Sequence, residues 1–287
     1  MTLFPAGWSV AGQSVYERMA TADLVVRVRT IEGSLRLAEC RVLEVLKGKY
    51  SRKQIFIAFR FDNMNRQHYR DRISFLDGQE SILLLTPVLD AKLKVKAPDR
   101  FRLVGAFKGK IDLPPEGAEA FIRAFRRLGQ ILQMTDIHRI WNSHRALLSE
   151  TNPYLVETGF AEVLKFRLGN AGMVPVLLDY LDSKHDPFRI SALKVLAQIL
   201  EHSRRHDEPL PGLDDLVARV LTSALEDPVS AIRVAAVQAL EAYGERDIVE
   251  VLRQVAERDP SQDVRYEASV SVYRLNHNDM TSSLEHR

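Results

Sequence analysis

The sequence predicts an α+β protein in two parts, a small antiparallel β-barrel followed by an α-helical solenoid of about four repeats. Three observations carry this. Short alternating runs separated by turn residues fill the front half. A unit opening with Asn152-Pro153, Asp186-Pro187, Asp227-Pro228 and Asp259-Pro260 recurs through the back half, each time ahead of an apolar helical stripe. The charge divides the same way: residues 1–135 hold 23 Lys+Arg and 14 Asp+Glu, and residues 136–287 hold 17 and 24, for net charges of +9 and −7. The expected domains are 1–133 and 134–287.

In the front half, Ser14–Ala20 reads as a short amphipathic helix. Asp23–Ile31 alternates through Val26, Arg27, Val28 and Arg29, and a turn at Glu32-Gly33 leads into Leu35–Leu46. Gln54–Phe61 has two clean faces. Asp77-Gly78 turns into Ser81–Thr86, whose apolar run suits a buried strand. Lys92–Lys96 and Phe101–Ala106 read as a hairpin-like pair around Pro98-Asp99. Pro114–Leu132 then reads as a helix with Phe121, Phe125, Leu128 and Leu132 on its buried stripe. Cys40 lies in an alternating run and reads as a small core side chain. A single cysteine excludes an internal disulfide and a cysteine-rich zinc site.

In the back half, the first helices of the repeats are expected at about Asp136–Glu150, Gly172–Ser183, Leu213–Glu226 and Asp247–Arg258. The second are expected at about Pro153–Arg167, Pro187–His202, Val229–Tyr243 and Ser261–Leu275. Three of the four copies place an arginine near the second helix's start (Arg189, Arg233, Arg265) and an alanine three residues later (Ala192, Ala236, Ala268); the first copy has Val156 and Gly159 there. The spacings from Val156 through the arginines are 33, 44 and 32 residues, the long one containing a polar insertion, Glu201–Gly212. Pro suits a helix start, and the preceding Asp186, Asp227, Asp259 or Asn152 can cap the free amides. The alanines let paired helices approach. The arginines are expected to bond helix ends or acids of a neighbouring repeat.

Two resemblances follow from these residues. Ala22-Asp23-Leu24-Val25-Val26, then Ala38–Val42, Glu44-Val45-Leu46-Lys47-Gly48, and later Phe75, Gly78 and Leu83-Leu84-Leu85, are similar to bacterial domains of the netrin/TIMP-like OB-fold group. That resemblance implies an OB-type barrel and an extracytoplasmic location. It departs at Arg27, where the group often has glycine, and it lacks the N-terminal cysteine through which animal members block a metalloprotease. The back half resembles HEAT repeats, best over Ala224–Leu240 with Asp227-Pro228, Ile232-Arg233, Ala236 and Ala239-Leu240. That resemblance implies an extended surface for other proteins.

For function, a non-enzymatic scaffold or adaptor binding a protein partner is expected, with no cofactor and no catalytic residues. No nucleophile elbow, phosphate loop, dinucleotide fingerprint or zinc-protease helix is found. The solenoid surface and a basic barrel loop are the expected contact areas. In the loop, Arg60, Arg66, Tyr69, Arg70 and Arg72 are the candidate contacts, extended by Lys92, Lys94, Lys96, Arg100 and Arg102. The alternative for that loop is OB-type binding of single-stranded nucleic acid through phosphate pairing and base stacking, which the acidic back half disfavours by repelling phosphates. A bilin-lyase-like enzyme is a further alternative, because such lyases also carry short HEAT-like repeats. His202 and His206, spaced i, i+4, are a weak metal pair without a third ligand. His138 and His144 read as surface or packing residues. No run is long and apolar enough to span a membrane, and MTLFPAGWSVAGQ lacks the basic and apolar regions of an export signal.

Overall fold

The computed structural model describes residues 13–33, 37–58, 74–89 and 96–282, which fall into two compact units, Gln13–Ile140 and Trp141 onward. Helix α1 (Val15–Thr21) opens the first unit with a capping box: the Ser14 hydroxyl accepts from the Glu17 amide and the Glu17 carboxylate accepts from the Ser14 amide. Its other end is capped by a side chain. The Lys47 ammonium donates to the carbonyls of Met19, Ala20 and Ala22 at 2.6, 2.9 and 2.7 Å, meeting the orphan acceptors of the last turn with a positive charge.

Six strands follow: β1 (Leu24–Gly33), β2 (Leu37–Lys47), β3 (Gln54–Ala58), β4 (Glu80–Leu89), β5 (Lys96–Leu103) and β6 (Lys110–Asp112). Their neighbours run β1-β2-β3-β5-β4, and β4 pairs back onto β1, so five strands close a barrel. The run β4-β1-β2-β3 is a Greek key, and β5 closes it, parallel to β3 and antiparallel to β4. Strand β6 adds to the first half of β4. Alternation fills the interior with Leu24, Val26, Val28, Ala38, Cys40, Ile55, Ile57, Leu83, Leu85 and Phe101. Outside it, helix α2 (Ala118–Leu132) packs on β2 and α1, burying Ile122, Phe125, Leu128 and Ile131.

The motif residues of this unit have structural explanations. Thr86 donates to the Asp23 carboxylate at 2.7 Å. Gly48 has φ +86, and a Cβ there would lie 2.5 Å from the Asp23 carbonyl, so the turn after Lys47 needs glycine. Arg27, on the outer face, donates to Glu80 through Nε at 3.0 Å and Nη2 at 2.8 Å. The Glu80 bond is the main reason the Arg27 pKa is raised.

Two expectations are corrected here, and one strand is new. Pro98-Asp99 is not a hairpin turn: one strand, β5, runs through it, and the β4–β5 register shifts at Pro87/Leu89, opposite this stretch, so the ladder is irregular where proline has no N–H to give. Helix α2 starts at Ala118, beyond Pro114-Pro115, from a left-handed Gly117 with φ +80. Strand β6 was not expected, being only 3 residues long.

The second unit is helical. Helix α3 (Ile137–Ala146) leads into a short 3-10 turn. Next come α4 (Pro153–Phe166), α5 (Val174–Leu181), α6 (Asp186–His206), α7 (Leu213–Glu226), α8 (Ser230–Tyr243), α9 (Arg246–Arg258) and α10 (Gln262–Ser282). Helices α5 and α6, α7 and α8, and α9 and α10 pack as pairs, and α4, α6, α8 and α10 pack in series. One continuous core runs from Leu148 to Leu275, as expected of repeats that bury their apolar faces only against neighbours. At its head, Phe160, Tyr180 and Phe188 form an aromatic cluster with ring centroids 5.1–5.9 Å apart. There the Tyr180 hydroxyl donates to the Leu148 carbonyl at 2.8 Å, and burial pushes its pKa up to about 12.

Cys40 is fully buried, and burial is the main cause pushing its thiol up to about 11. Because the thiolate is the nucleophile, Ellman's reagent at pH 8 should leave the native protein unlabelled and titrate one thiol on addition of denaturant. Rapid labelling of the native protein would show that the barrel core is open.

Candidate partner-binding surfaces

The repeat residues form a chain of charged hydrogen bonds along one edge of the helical unit. In each rung an aspartate opens the second helix of a repeat. Oδ1 of Asp227 accepts from the Val229 amide at 2.8 Å, and Oδ1 of Asp259 from the Ser261 amide at 2.7 Å. The arginine one turn on reaches in two directions. Arg233 donates through Nη1 to the Asp227 carbonyl at 2.7 Å, holding its own turn. It also donates through Nε and Nη2 to the two oxygens of Asp259 in the next repeat, at 2.8 and 2.9 Å. Arg189 likewise joins Asp186 at 2.6 Å to Asp227 of the next repeat at 2.5 Å. Arg265 donates to the carbonyls of Asp259 and Pro260 at 2.7 and 3.2 Å.

The Arg233–Asp259 rung is the most desolvated, with side chains 8% and 6% exposed. The fork-to-carboxylate geometry raises the Arg233 pKa and holds the Asp259 carboxyl below its ordinary range, the Arg233 hydrogen bond being the first cause and the Ser261 amide assisting. The alanines Ala192, Ala236 and Ala268 are all fully buried at the helix contacts.

The first copy departs for packing reasons. Val156 is buried and makes no rung, so Asp186 takes no arginine from the preceding copy. A Cβ on Gly159 would meet Leu147 Cβ and Leu148 Cδ2 at 3.0 Å, which is closer than the alanine of later copies could sit without a shift. A different polar pair is buried beside it. His144 on α3 lies with its Nδ1 3.9 Å from Oε2 of Glu162 on α4, both nearly sealed from solvent. Burial pushes the His144 pKa down to about 4, so it is neutral at pH 7. Sequence reasoning left His144 as surface or packing; packing is what it does.

Of the expected loop contacts, Arg60, Arg66, Tyr69, Arg70 and Arg72 lie outside the described residues, as do Lys92 and Lys94. The described part of the barrel carries a related surface. Cross-strand partners share a face. Arg41 faces Gln54, Glu39 faces Phe56, and Phe56 faces Arg100, placing all of these, with Arg102, on the outer face of β2, β3 and β5. Arg41, Arg100 and Arg102 are exposed, Phe56 is half-buried among them, and Gln54 donates to Glu39 at 3.1 Å. Sequence reasoning named Arg100 and Arg102 but missed Arg41 and Phe56. Their odd–even positions were legible, but the pairing of β3 with β5 was not.

Helix α6 continues to His206, where His202 was expected to be its end, and stops at a left-handed Asp207. The first half of the expected insertion is therefore helix. This stacks the His202 and His206 rings with centroids 4.4 Å apart, and Nε2 of His202 lies 3.6 Å from Glu208. Among the described residues no group of three or more His, Cys, Asp or Glu side chains is placed to hold a metal.

The last described helix exposes two large side chains, Tyr266 at 69% and Tyr273 at 61%. On its inner side Glu267 accepts from Gln238 at 2.9 Å, and Glu241 accepts from Ser271 at 2.6 Å and from Arg274. Residues 218–287, from within α7 through α10 and including the Arg233–Asp259 rung, match the family model for HEAT repeats. That stretch is similar to HEAT repeats. That match covers none of the barrel, and comparison with curated proteins and with solved structures found no match. Among the described residues no helix is long and apolar enough to cross a membrane.

Breaking a buried pair leaves an uncompensated charge, so Arg233→Met should cost about 3 kcal/mol. Arg274→Met, whose arginine is 56% exposed, should cost under about 1 kcal/mol in the same urea titrations. The depressed Asp259 carboxyl contributes stability above the ordinary aspartate pKa, near about 3.9, and loses it as pH falls through the lower folded value. Asp259→Asn should therefore be less stable than wild type at pH 7, with the difference shrinking as the pH of the titration is lowered below about 4.

Proposed function

We propose that this protein is a non-enzymatic scaffold or adaptor that binds protein partners across its helical surface. The observation that carries the reading is the serial helical array itself. Its polar repeat residues are engaged in holding one repeat to the next, and the outward positions of α6, α8 and α10 are left for contact. Stacked repeats of this kind present extended surfaces. The +9 front half supports a contribution from the basic barrel loop around Arg66, Tyr69, Arg70 and Arg72, and the netrin/TIMP-like resemblance of the barrel supports action outside the cytoplasm.

The test is affinity purification of the full chain from its native cell, followed by mass spectrometry, with a chain carrying Arg66→Glu, Arg70→Glu and Arg72→Glu in parallel. A reproducible partner set is expected, reduced by the triple reversal. Capture of no protein above background by the wild-type chain would overturn the scaffold reading, and an unchanged set with the triple variant would remove the loop from it.

A second reading is single-stranded nucleic acid bound to the barrel. Arg41, Phe56, Arg100 and Arg102 support it, because phosphate pairing beside an aromatic platform is the usual means of such binding. It predicts binding to a labelled oligonucleotide that weakens steeply between about 50 and 200 mM salt and drops on Phe56→Ala. An oligonucleotide titration flat at low salt would eliminate it.

A further inference from the structure

The three repeat arginines are equivalent in sequence but not in what they hold. Arg189 and Arg233 each hold their own turn and an aspartate of the following repeat. Arg265 reproduces the first half: its Nη1 bond to the Asp259 carbonyl matches that of Arg233 to the Asp227 carbonyl. Its Nε and Nη2, the atoms that chelate Asp259 in the Arg233 rung, meet no carboxylate among the described residues.

The side chains beside it follow the same pattern. The residue after the repeat arginine is Ile190 in α6 and Val234 in α8, both packed into the core that the next repeat completes. In α10 that position is Tyr266, and it is 69% exposed. Two turns on, the same offset gives Ala197 in α6, packed on the core, Glu241 in α8, engaged by Ser271 and Arg274 of the next repeat, and in α10 Tyr273, 61% exposed. The face therefore offers an oriented guanidinium fork and two amphipathic rings where the preceding helices are covered by an acid-capped helix.

We propose that the face of α10 formed by Arg265, Tyr266 and Tyr273 docks an acid-capped helix of a protein partner, seated as a further repeat. This rests on the scaffold reading and names its contact. The partner supplies an Asp or Glu at its helix start, positioned as Asp227 and Asp259 are, followed by apolar residues that cover the tyrosine rings. The carboxylate satisfies the fork bidentately, and the rings give large contact area at low entropic cost.

The probe is a fluorescein-labelled peptide with the sequence Glu226–Tyr243, the chain's own acid-capped helix, titrated with the full chain by fluorescence anisotropy. Saturable binding is expected, and it should weaken at least about tenfold, roughly 1.4 kcal/mol, with Arg265→Met protein or with an Asp227→Asn peptide. The two changes together should add nothing beyond either alone. Tyr266→Ala with Tyr273→Ala should also weaken it. Arg265 bonds only carbonyls of its own turn among the described residues, so Arg265→Met should keep the wild-type circular dichroism and melt only slightly lower than wild type.

Absence of binding, or equal binding of the Asp and Asn peptides, would overturn the proposal. So would binding that emerges only after residues 283–287 are removed, which would make the chain's own tail the occupant. Self-association in sedimentation that ignores Arg265→Met but is lost on Tyr266→Ala would assign the face to a second copy instead. Run through the affinity purification, an Arg265→Met chain that keeps the full partner set sinks this proposal and leaves the scaffold reading standing. A wild-type chain that captures nothing sinks the scaffold reading itself.

Discussion

The helical unit depends on one interaction, the desolvated fork of Arg233 on Asp259. Apolar packing supplies most of the cohesion of stacked helices, but it is non-directional. It fixes neither which turn of one helix meets which turn of the next nor where each helix begins. The fork settles both. Asp259 caps its own helix through the Ser261 amide and at the same time takes the Nε and Nη2 donors of the preceding repeat's Arg233. Helix start and inter-repeat register are thereby one specification. A carboxylate 6% exposed also makes the alternatives costly, since any slip leaves it buried and unpaired.

The barrel reaches order by closure. Once β4 pairs with both β5 and β1, no long edge is left unpaired apart from the short flank at β6. The Lys47 ammonium on three carbonyls of α1 and the left-handed Gly48 against the Asp23 carbonyl then anchor the helix to the end of β2. Lys47, Gly48 and Asp23 are thus accounted for by helix capping and chain reversal.

How far the fold was legible follows from the range of each signal. The strands up to β4 and all the helix pairs announce themselves through local periodicity, and the Asp-Pro, Arg and Ala offsets survive because each performs a local task. Pro98 misled because a proline usually marks a turn, and only the irregular β4–β5 register explains a strand passing through it. The extra turn of α6 at Arg204-Arg205-His206 was hidden because those residues are polar all round, as an exposed helix end can be. The Arg41–Phe56–Arg100 face depends on a parallel pairing between strands more than forty residues apart, which no local pattern encodes. The unmatched fork of Arg265 was invisible for the opposite reason: in sequence it is identical to its neighbours, and only the geometry of the other two rungs shows what it lacks.

A double-mutant cycle on Arg233 and Asp259 addresses the central claim most directly. Urea unfolding of the wild type, Arg233→Met, Asp259→Asn and the double variant yields a coupling energy for the rung. The account predicts a favourable coupling of about 2 kcal/mol or more at pH 7, so that the double variant is more stable than the sum of the single losses implies. A coupling within about 0.5 kcal/mol of zero would show that packing alone sets the repeats in register, and that the arginine–aspartate chain is a consequence of the fold and not what holds it.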